Sequence, residues 1–409
     1  MDESKIKVYG YRWVVLGVFM LINMTIQFLW ICFAPITGLA AKYYGVTDMQ
    51  IGILAMLFMI VYIPIGIPAA WFIDTYGFLK GVGLGAVLFG IFGLLRGIFS
   101  SSYTLVLLCT IGIAVAQPFL LNAFTTVAAK WFPINERATA SGLGLMANFL
   151  GTAVGLMLTP YLVTRYSIDA MQMIYGIAAA LSAGVFLIFA REKPPTSPSP
   201  PGYIERALMF DGFKSMMRSL HFWYLMILFF VGVGIFNGVA TWVENIVRPK
   251  GLSITQAGMV GGLLLIGGII GAVIIPPLSD YWRKRKPFML IGTLCTLPGL
   301  LGIAFGHGYP ILLVSAFCVG FFMISLAPVA LQYAAEITYP APEGTSNGLL
   351  QLAGQLSVIF IYGMGLANDI YGSFTPAMLL ACGLLVMNFM LITRLKESKI
   401  IKEMARPAS

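Results

Sequence analysis

The chain has 409 residues, 59% of them hydrophobic and 10% charged, with a mean hydropathy of +0.89. That balance excludes an ordinary water-soluble domain. The net charge of +9 could suggest a nucleic-acid partner, but the Lys and Arg residues fall in the polar stretches between apolar runs, where they read as topological signals.

A hydrocarbon layer of roughly 30 Å asks for about 20 apolar residues from each spanning helix. Twelve such runs are counted, near residues 13–39, 49–73, 81–99, 103–129, 138–164, 170–190, 221–247, 255–279, 287–306, 310–336, 343–368 and 374–394. Runs such as Gly261 to Pro276 stay apolar at every position, without the alternation of a β-barrel. The expected fold is an all-α membrane protein with twelve transmembrane helices. With both termini in the cytoplasm, only Lys42, Arg96, Arg165, Arg248 and Lys250 fall on the far side. The positive-inside rule selects that orientation, expected here in the cell membrane. The basic runs Arg283 to Lys286 and Arg394 to Lys402 then anchor topology, and no nucleic-acid contact is expected. Met1 to Tyr9 is short and polar and the first run is of spanning length, so this helix is expected to be retained, not cleaved as a signal.

In the first run, Asn23, Gln27, Trp30 and Ala34 are spaced four, three and four, which puts them on one helical face. An amide-bearing face inside a bilayer must turn to protein or to water. The second run ends through Pro64 and Pro68 in the stretch P-A-A-W-F-I-D-T-Y-G-F-L-K, where Asp74 and Gly77 form a short turn. Asp74 is either a gating charge or the cap of the third helix. The fourth and fifth runs form a second hairpin, with Trp131-Phe132-Pro133 at its tip and Glu136-Arg137 opening the next helix. Small residues recur in the runs, as at Gly81-x-Gly83-x-Gly85, Gly151-x-x-x-Gly155 and Gly261 to Gly271, where helices can approach closely or slide.

Composition changes at R-E-K-P-P-T-S-P-S-P-P-G, a charged, Pro-rich connector that cannot span. An amphipathic piece, Tyr203 to Arg218, follows and is expected to lie on the inner membrane surface through Phe210, Phe213 and Met217. Beyond it the six-run pattern returns. Asp280 follows Asp74 by the same number of residues as Gly251 follows Gly45, Gly258 follows Gly52 and Gly348 follows Gly142. One offset held over a hundred residues marks two homologous halves. The division expected is a six-helix bundle over 1–190, a cytoplasmic linker over 191–220, a second, pseudo-symmetric six-helix bundle over 221–395 and a polar tail over 396–409.

Chemistry-bearing residues are few. Cys32, Cys109, Cys295, Cys318 and Cys382 all lie in apolar runs without C-x-x-C spacing, and His221 and His307 stand at helix ends, so no cofactor, metal or haem ligation is expected. Gln351 and Gln355 share a face, with Tyr362 seven residues further on. Such amides either line a cavity or bind helices to one another. Arg96, Glu244, Glu336, Glu343 and Asp369 lie near helix ends, within reach of water. Glu244 is the one candidate for ion coupling. Without a mid-depth carboxylate or a fixed cation, an aromatic cage favours a cationic or neutral solute. A membrane-embedded enzyme would need a polar cluster at one depth, and the sequence has none.

Two six-helix halves joined by a cytoplasmic linker, with an Asp-x-x-Gly turn after the second helix and a degenerate copy after the eighth, resemble the major facilitator superfamily. That turn usually reads G-x-x-x-D-x-x-G with basic residues after it; here Ala70 replaces the first glycine, and Phe78 and Leu79 replace the basic pair. Asp280 with Arg283 and Lys284 keeps more of the charge. W-I-C-F-A-P-I at Trp30, Y-I-P-I-G-I-P-A-A-W-F-I-D at Tyr62, A-V-A-Q-P-F-L-L-N at Ala114, A-A-K-W-F at Ala128 and L-G-T-A-V-G at Leu150 are similar to the feline leukaemia virus subgroup C receptor-related transporters. That family carries choline and related amino alcohols, with haem and other organic solutes also proposed. The resemblance implies a substrate ammonium held by a tryptophan of helix one and a tyrosine of helix seven, with glutamines of helices four and eleven. Trp30, Gln117 and Gln355 fall at three of those positions, and Asn237 stands where the tyrosine would be.

The expected site is therefore Trp30, Gln27, Gln117, Asn237 and Gln355, with Asn148, Gln351 and Tyr362 as second choices. Asp74, Gly77, Asp280 and Arg283 are the gating candidates. The expectation is a monomeric secondary carrier of a small organic solute, working by alternating access in the lipid bilayer. A carrier of small organic anions or neutral metabolites with proton coupling is the alternative.

Overall fold

The computed structural model describes residues 8–133, 136–196, 216–338 and 343–396. Most of the amphipathic piece from Tyr203 and the tail beyond Lys396 lie outside them. The chain is all-helical among the described residues and has twelve helices long and apolar enough to cross a membrane. It divides into two compact units, Met1–Ile204 and Glu205–Ser409.

The first unit runs α1 (Arg12–Ile31), a 3-10 turn (Ala34–Ile36), α2 (Thr37–Tyr44), α3 (Asp48–Tyr76), α4 (Phe78–Ile98), α5 (Tyr103–Leu121), α6 (Phe124–Trp131), α7 (Arg137–Arg165) and α8 (Ile168–Phe189). The second runs α9 (Leu220–Thr241), α10 (Val243–Val247), a 3-10 turn (Arg248–Lys250), α11 (Ile254–Tyr281), α12 (Lys286–Phe305), α13 (Tyr309–Thr338), α14 (Glu343–Leu356), α15 (Val358–Tyr371) and α16 (Thr375–Arg394). In the first unit α1 packs on α7, α4 on α5 and α8, and α3 on α5. The second repeats this list, with α9 on α14 and α15, α12 on α13 and α16, and α11 on α13.

The duplicated sequence has a local physical basis. Gly45 and Gly251 both adopt left-handed backbone, at φ 66° and 78°, a region glycine enters without a Cβ clash. Two residues later Thr47 and Ser253 each cap a helix, accepting from the backbone N–H of Gln50 and Gln256, whose side chains accept in return from the cap residue's own N–H. This reciprocal capping box satisfies two donors that a helix start leaves open. It opens α3 and α11 alike.

Close approach is built differently in the two units. A Cβ at Gly151 would stand 2.2 Å from the Met24 carbonyl oxygen, and one at Gly155 would stand 2.8 Å from the Ile31 side chain, so α7 supplies the smooth face against α1. In the second unit the roles exchange: Gly234 and Gly238 of α9 face Ser357, Phe360 and Met364. Without a hydrophobic force between helices in lipid, such close contact is what holds them together.

Exposed aromatic rings collect at the helix ends. Trp13, Trp71 and Tyr76 lie at one end of the first unit, with Tyr43, Tyr161 and Tyr166 at the other; Trp223, Tyr281 and Trp282 lie at the end of the second unit where α9 begins. Amphipathic rings favour the membrane–water boundary. The hairpin residues Trp131 and Phe132 are buried instead: Tyr11 and Trp13 pack on them, and Arg12 lies over the Phe132 ring and pairs with Glu136 at 3.1 Å.

Candidate functional site

Four spans expected as continuous helices are interrupted. The first breaks after Ile31, the fourth after Leu121, the seventh at Trp242 and the eleventh at Ser357. Each break follows closely after an expected site residue: Trp30, Gln117, Asn237 and Gln355 precede them by a few positions. Interrupted spanning helices occur where the exposed backbone is satisfied by protein or lines a cavity. The local causes are legible: Pro35 follows the first break and Pro118 precedes the second, and proline removes a donor from the helical ladder.

Each interruption is stapled by a side chain. At the first, Arg96 donates to the Leu29 carbonyl at 2.9 Å, while the Trp30 indole N–H donates to the Ala55 carbonyl of α3 at 3.2 Å. At the fourth-span break, Asn122 accepts from the Tyr62 hydroxyl at 2.6 Å and donates to the Gly66 carbonyl at 2.8 Å. Trp242 is buried and donates to the Ile361 carbonyl at 3.0 Å. Ser357 donates to Gly354 within its own span at 2.5 Å. Tyr62 and Asn122 are not among the expected site residues; the sequence signal for them is Pro64, two residues from Tyr62, and Pro118, four residues before Asn122.

Gln27, Gln117, Asn148 and Asn237 are buried and Trp30 and Gln355 half-buried, whereas Gln351 and Tyr362 are exposed. Ser357 interrupts the helix between Gln355 and Tyr362. In the first unit, the side-chain oxygens of Asn23 and Gln27 on α1 and of Asn148 on α7 are buried without a hydrogen-bond partner among the described residues. Buried acceptors without a partner are rare in folded proteins. In this bundle the buried amide oxygens of α1 and α7 and the half-buried Trp30 ring lie within the apolar spans.

The charged candidates resolve differently from the sequence reading. Arg96 is 1% exposed and does not reach water; it turns inward onto the first break. Glu244 is likewise buried and held by Arg248 at 2.5 and 2.7 Å. Asp74 neither caps α4 nor forms an ion pair among the described residues. The capping group is Glu192, whose carboxylate accepts from the N–H groups of Phe78 (3.2 Å) and Leu79 (2.6 Å) and pairs with Lys130. A negative charge is favourable at that helix start. Gly77, at φ 97°, makes room for it, since a Cβ there would lie 2.6 Å from the Glu192 carboxylate. Asp280 pairs with Arg285, which also binds Glu336 at 3.0 Å, while Arg283 takes a left-handed backbone at φ 51°. Among the described residues, no group of His, Cys, Asp and Glu could hold a metal ion.

Residues 19–362 and 245–403 match the Major Facilitator Superfamily model. The chain is 31% identical to Solute carrier family 49 member A3 of Xenopus tropicalis, covering 88% of this chain and 78% of that protein. It is 30% identical to the Choline/ethanolamine transporter FLVCR2 of Homo sapiens, covering 97% and 79%, and 30% identical to FLVCR1 of Felis catus, covering 87% and 67%. The crystal structure of a bacterial homologue of the human lysosomal transporter Spinster shares the fold, with a TM-score of 0.73 over 94% of this chain and 97% of that one at 17% identity. These are multi-pass membrane transporters, a non-enzymatic class. The chain belongs to the major facilitator superfamily, within the family that includes the feline leukaemia virus subgroup C receptor-related transporters.

Proposed function

We propose that the protein carries a small organic cation of the amino-alcohol class, such as choline or ethanolamine, across the cell membrane by alternating access. The observation that carries this reading is the juxtaposition on α1 of the Trp30 ring with the Gln27 amide, whose buried oxygen has no partner among the described residues. A ring face attracts an ammonium or quaternary ammonium group, and an amide oxygen accepts from a hydroxyl or an N–H. Gln117 and Asn148 are the further candidates in the first unit; Asn237 and Gln355 are candidates within the second unit taken by itself. The names of the FLVCR1 and FLVCR2 relatives support the same solute class.

Movement is facilitated, without ion coupling. Glu244, the coupling candidate, is buried and held by Arg248. Both termini and the 191–220 linker lie in the cytoplasm, and the chain works as a monomer. The membrane potential then drives a cation inward with ~2.3 kcal/mol per charge per 100 mV.

Uptake of labelled choline into liposomes, comparing the parent with Trp30→Ala, tests the reading. A ring worth ~0.5 to 2 kcal/mol to a cation converts to a rise in KM of about 2- to 30-fold. Equal uptake by both removes Trp30 from the site. Stabilisation by carboxylates but not by quaternary ammonium compounds replaces the cation with an anion.

A further inference from the structure

Arg96 is a buried charge that the transport reading leaves unused. It lies in the last turn of α4, is 1% exposed and forms no ion pair among the described residues. Asp169, whose carboxylate lies beside Ser100 just beyond α4, is engaged by the hydroxyls of Tyr43 and Ser100, each at 2.7 Å. A guanidinium so far from water needs other compensation, and its surroundings on α1 supply it. Nη1 donates to the Leu29 carbonyl at 2.9 Å, Nη2 reaches the Cys32 sulfur at 3.4 Å, and the head lies 5.8 Å from the centre of the Phe33 ring.

Leu29 and Cys32 belong to the broken end of α1, and Phe33 opens the 3-10 turn that follows. The closing α-helical bond of α1 runs from the Cys32 N–H to the Phe28 carbonyl, so Leu29 carries the first carbonyl beyond it. That end also bears the negative pole of the helix dipole, which a cation stabilises. Only a planar, forked head can serve the carbonyl and the sulfur at once; a lysine ammonium would be a point charge. Trp30 sits between Leu29 and Cys32. Its backbone is bracketed by the Arg96 contacts from α4, and its ring is fixed by the Ala55 carbonyl of α3.

We propose that Arg96 is the positioning residue for Trp30: it holds the interruption of the first span open in the geometry that presents the indole ring to the solute. The inference rests on Trp30 lining the site, as argued above. It assigns to Arg96 an effect on affinity exerted through α1, without contact between Arg96 and the solute.

The test uses the full-length protein in liposomes, with Arg96→Gln and Arg96→Lys compared to the parent for choline KM and maximal rate. In parallel, maleimide labelling of Cys32 is measured in a background where Cys109, Cys295, Cys318 and Cys382 are changed to Ala. Cys32 is fully buried and lies against the guanidinium, so its labelling rate reports whether the break keeps its packed geometry, whatever the solute is. Arg96→Gln is expected to raise KM at least 10-fold with maximal rate changed less than 3-fold, and to speed Cys32 labelling at least 10-fold. Arg96→Lys, which keeps the charge and one donor, is expected to recover most of the KM while labelling stays raised. If Arg96→Gln does not fold, Phe33→Leu, which removes only the ring under the head, is expected to raise both readouts about 3-fold. A parental KM together with a protected Cys32 in the folded variant overturns the proposal, as does a loss of maximal rate at unchanged KM. A parent that moves no choline sinks the transport reading instead, and the labelling result still decides whether Arg96 holds the break.

Discussion

Arg285 stands at the start of α12 with its side chain 7% exposed, and its partner Glu336 on α13 is 8% exposed. The guanidinium donates to one Glu336 oxygen from Nε at 3.2 Å and from Nη2 at 3.0 Å, and to the Ser279 hydroxyl at 3.0 Å. Burial alone would lower the arginine's pKa, but its bonds to Asp280 and Glu336 outweigh that and raise it. Arg285→Met leaves the shielded Glu336 carboxylate without its arginine. Removing one partner of a buried pair costs about 3 to 5 kcal/mol. The lost contact to Asp280, whose side chain is 63% exposed, adds at most about 1 kcal/mol. For a unit of 150 to 250 residues each kcal/mol moves the midpoint by about 2 to 4 °C, so thermal unfolding in detergent should fall by roughly 6 to 24 °C. Glu336→Leu should cost less, because Asp280 still neutralises Arg285. The double variant, Arg285→Met with Glu336→Leu, exchanges the pair for apolar volume and should recover most of the loss. A double variant as unstable as the sum of the singles, or a neutral Arg285→Met, would refute the reasoning.

Gly151→Val should separate α1 from α7, because the new Cβ meets the Met24 backbone at 2.2 Å and backbone cannot rotate away. Overpacking of this kind costs about 1 to 3 kcal/mol, read as a lowered unfolding midpoint and lost uptake, whereas Gly142→Ala, with nothing within 4 Å, should leave both unchanged. Glu192→Gln should destabilise by about 0.5 to 2 kcal/mol, since it weakens acceptance from the Phe78 and Leu79 amides and removes the pair with Lys130; the neighbouring Asp74→Asn should leave the midpoint unchanged. Tyr62→Phe deletes the 2.6 Å bond to Asn122 and should lower choline uptake several-fold, with an unfolding midpoint close to the parent's.

Much of the architecture was legible because lipid imposes simple rules on a chain. Span length follows from bilayer thickness, so twelve apolar runs gave twelve helices. The common offset marked two capping boxes whose donors and acceptors lie within three residues of each other, as at Thr47 and Gln50. The interruptions were less legible: Pro35 and Pro118 are local signals, but several of the side chains that hold backbone groups near helix ends come from far along the chain. Arg96 is 67 positions from Leu29, Trp242 is 119 from Ile361, and Glu192 is 114 from Phe78. Hydropathy placed Arg96 at a helix end and sent it to water; tertiary packing turned it inward, because the open end of α1 offered a carbonyl, a sulfur and a ring face in place of water. Composition and periodicity alone could establish how many helices cross the membrane and which residues begin them. Which helices break, and which distant side chains hold the breaks, was decided only by tertiary packing, because the donors and acceptors that meet there come from segments far apart in the chain.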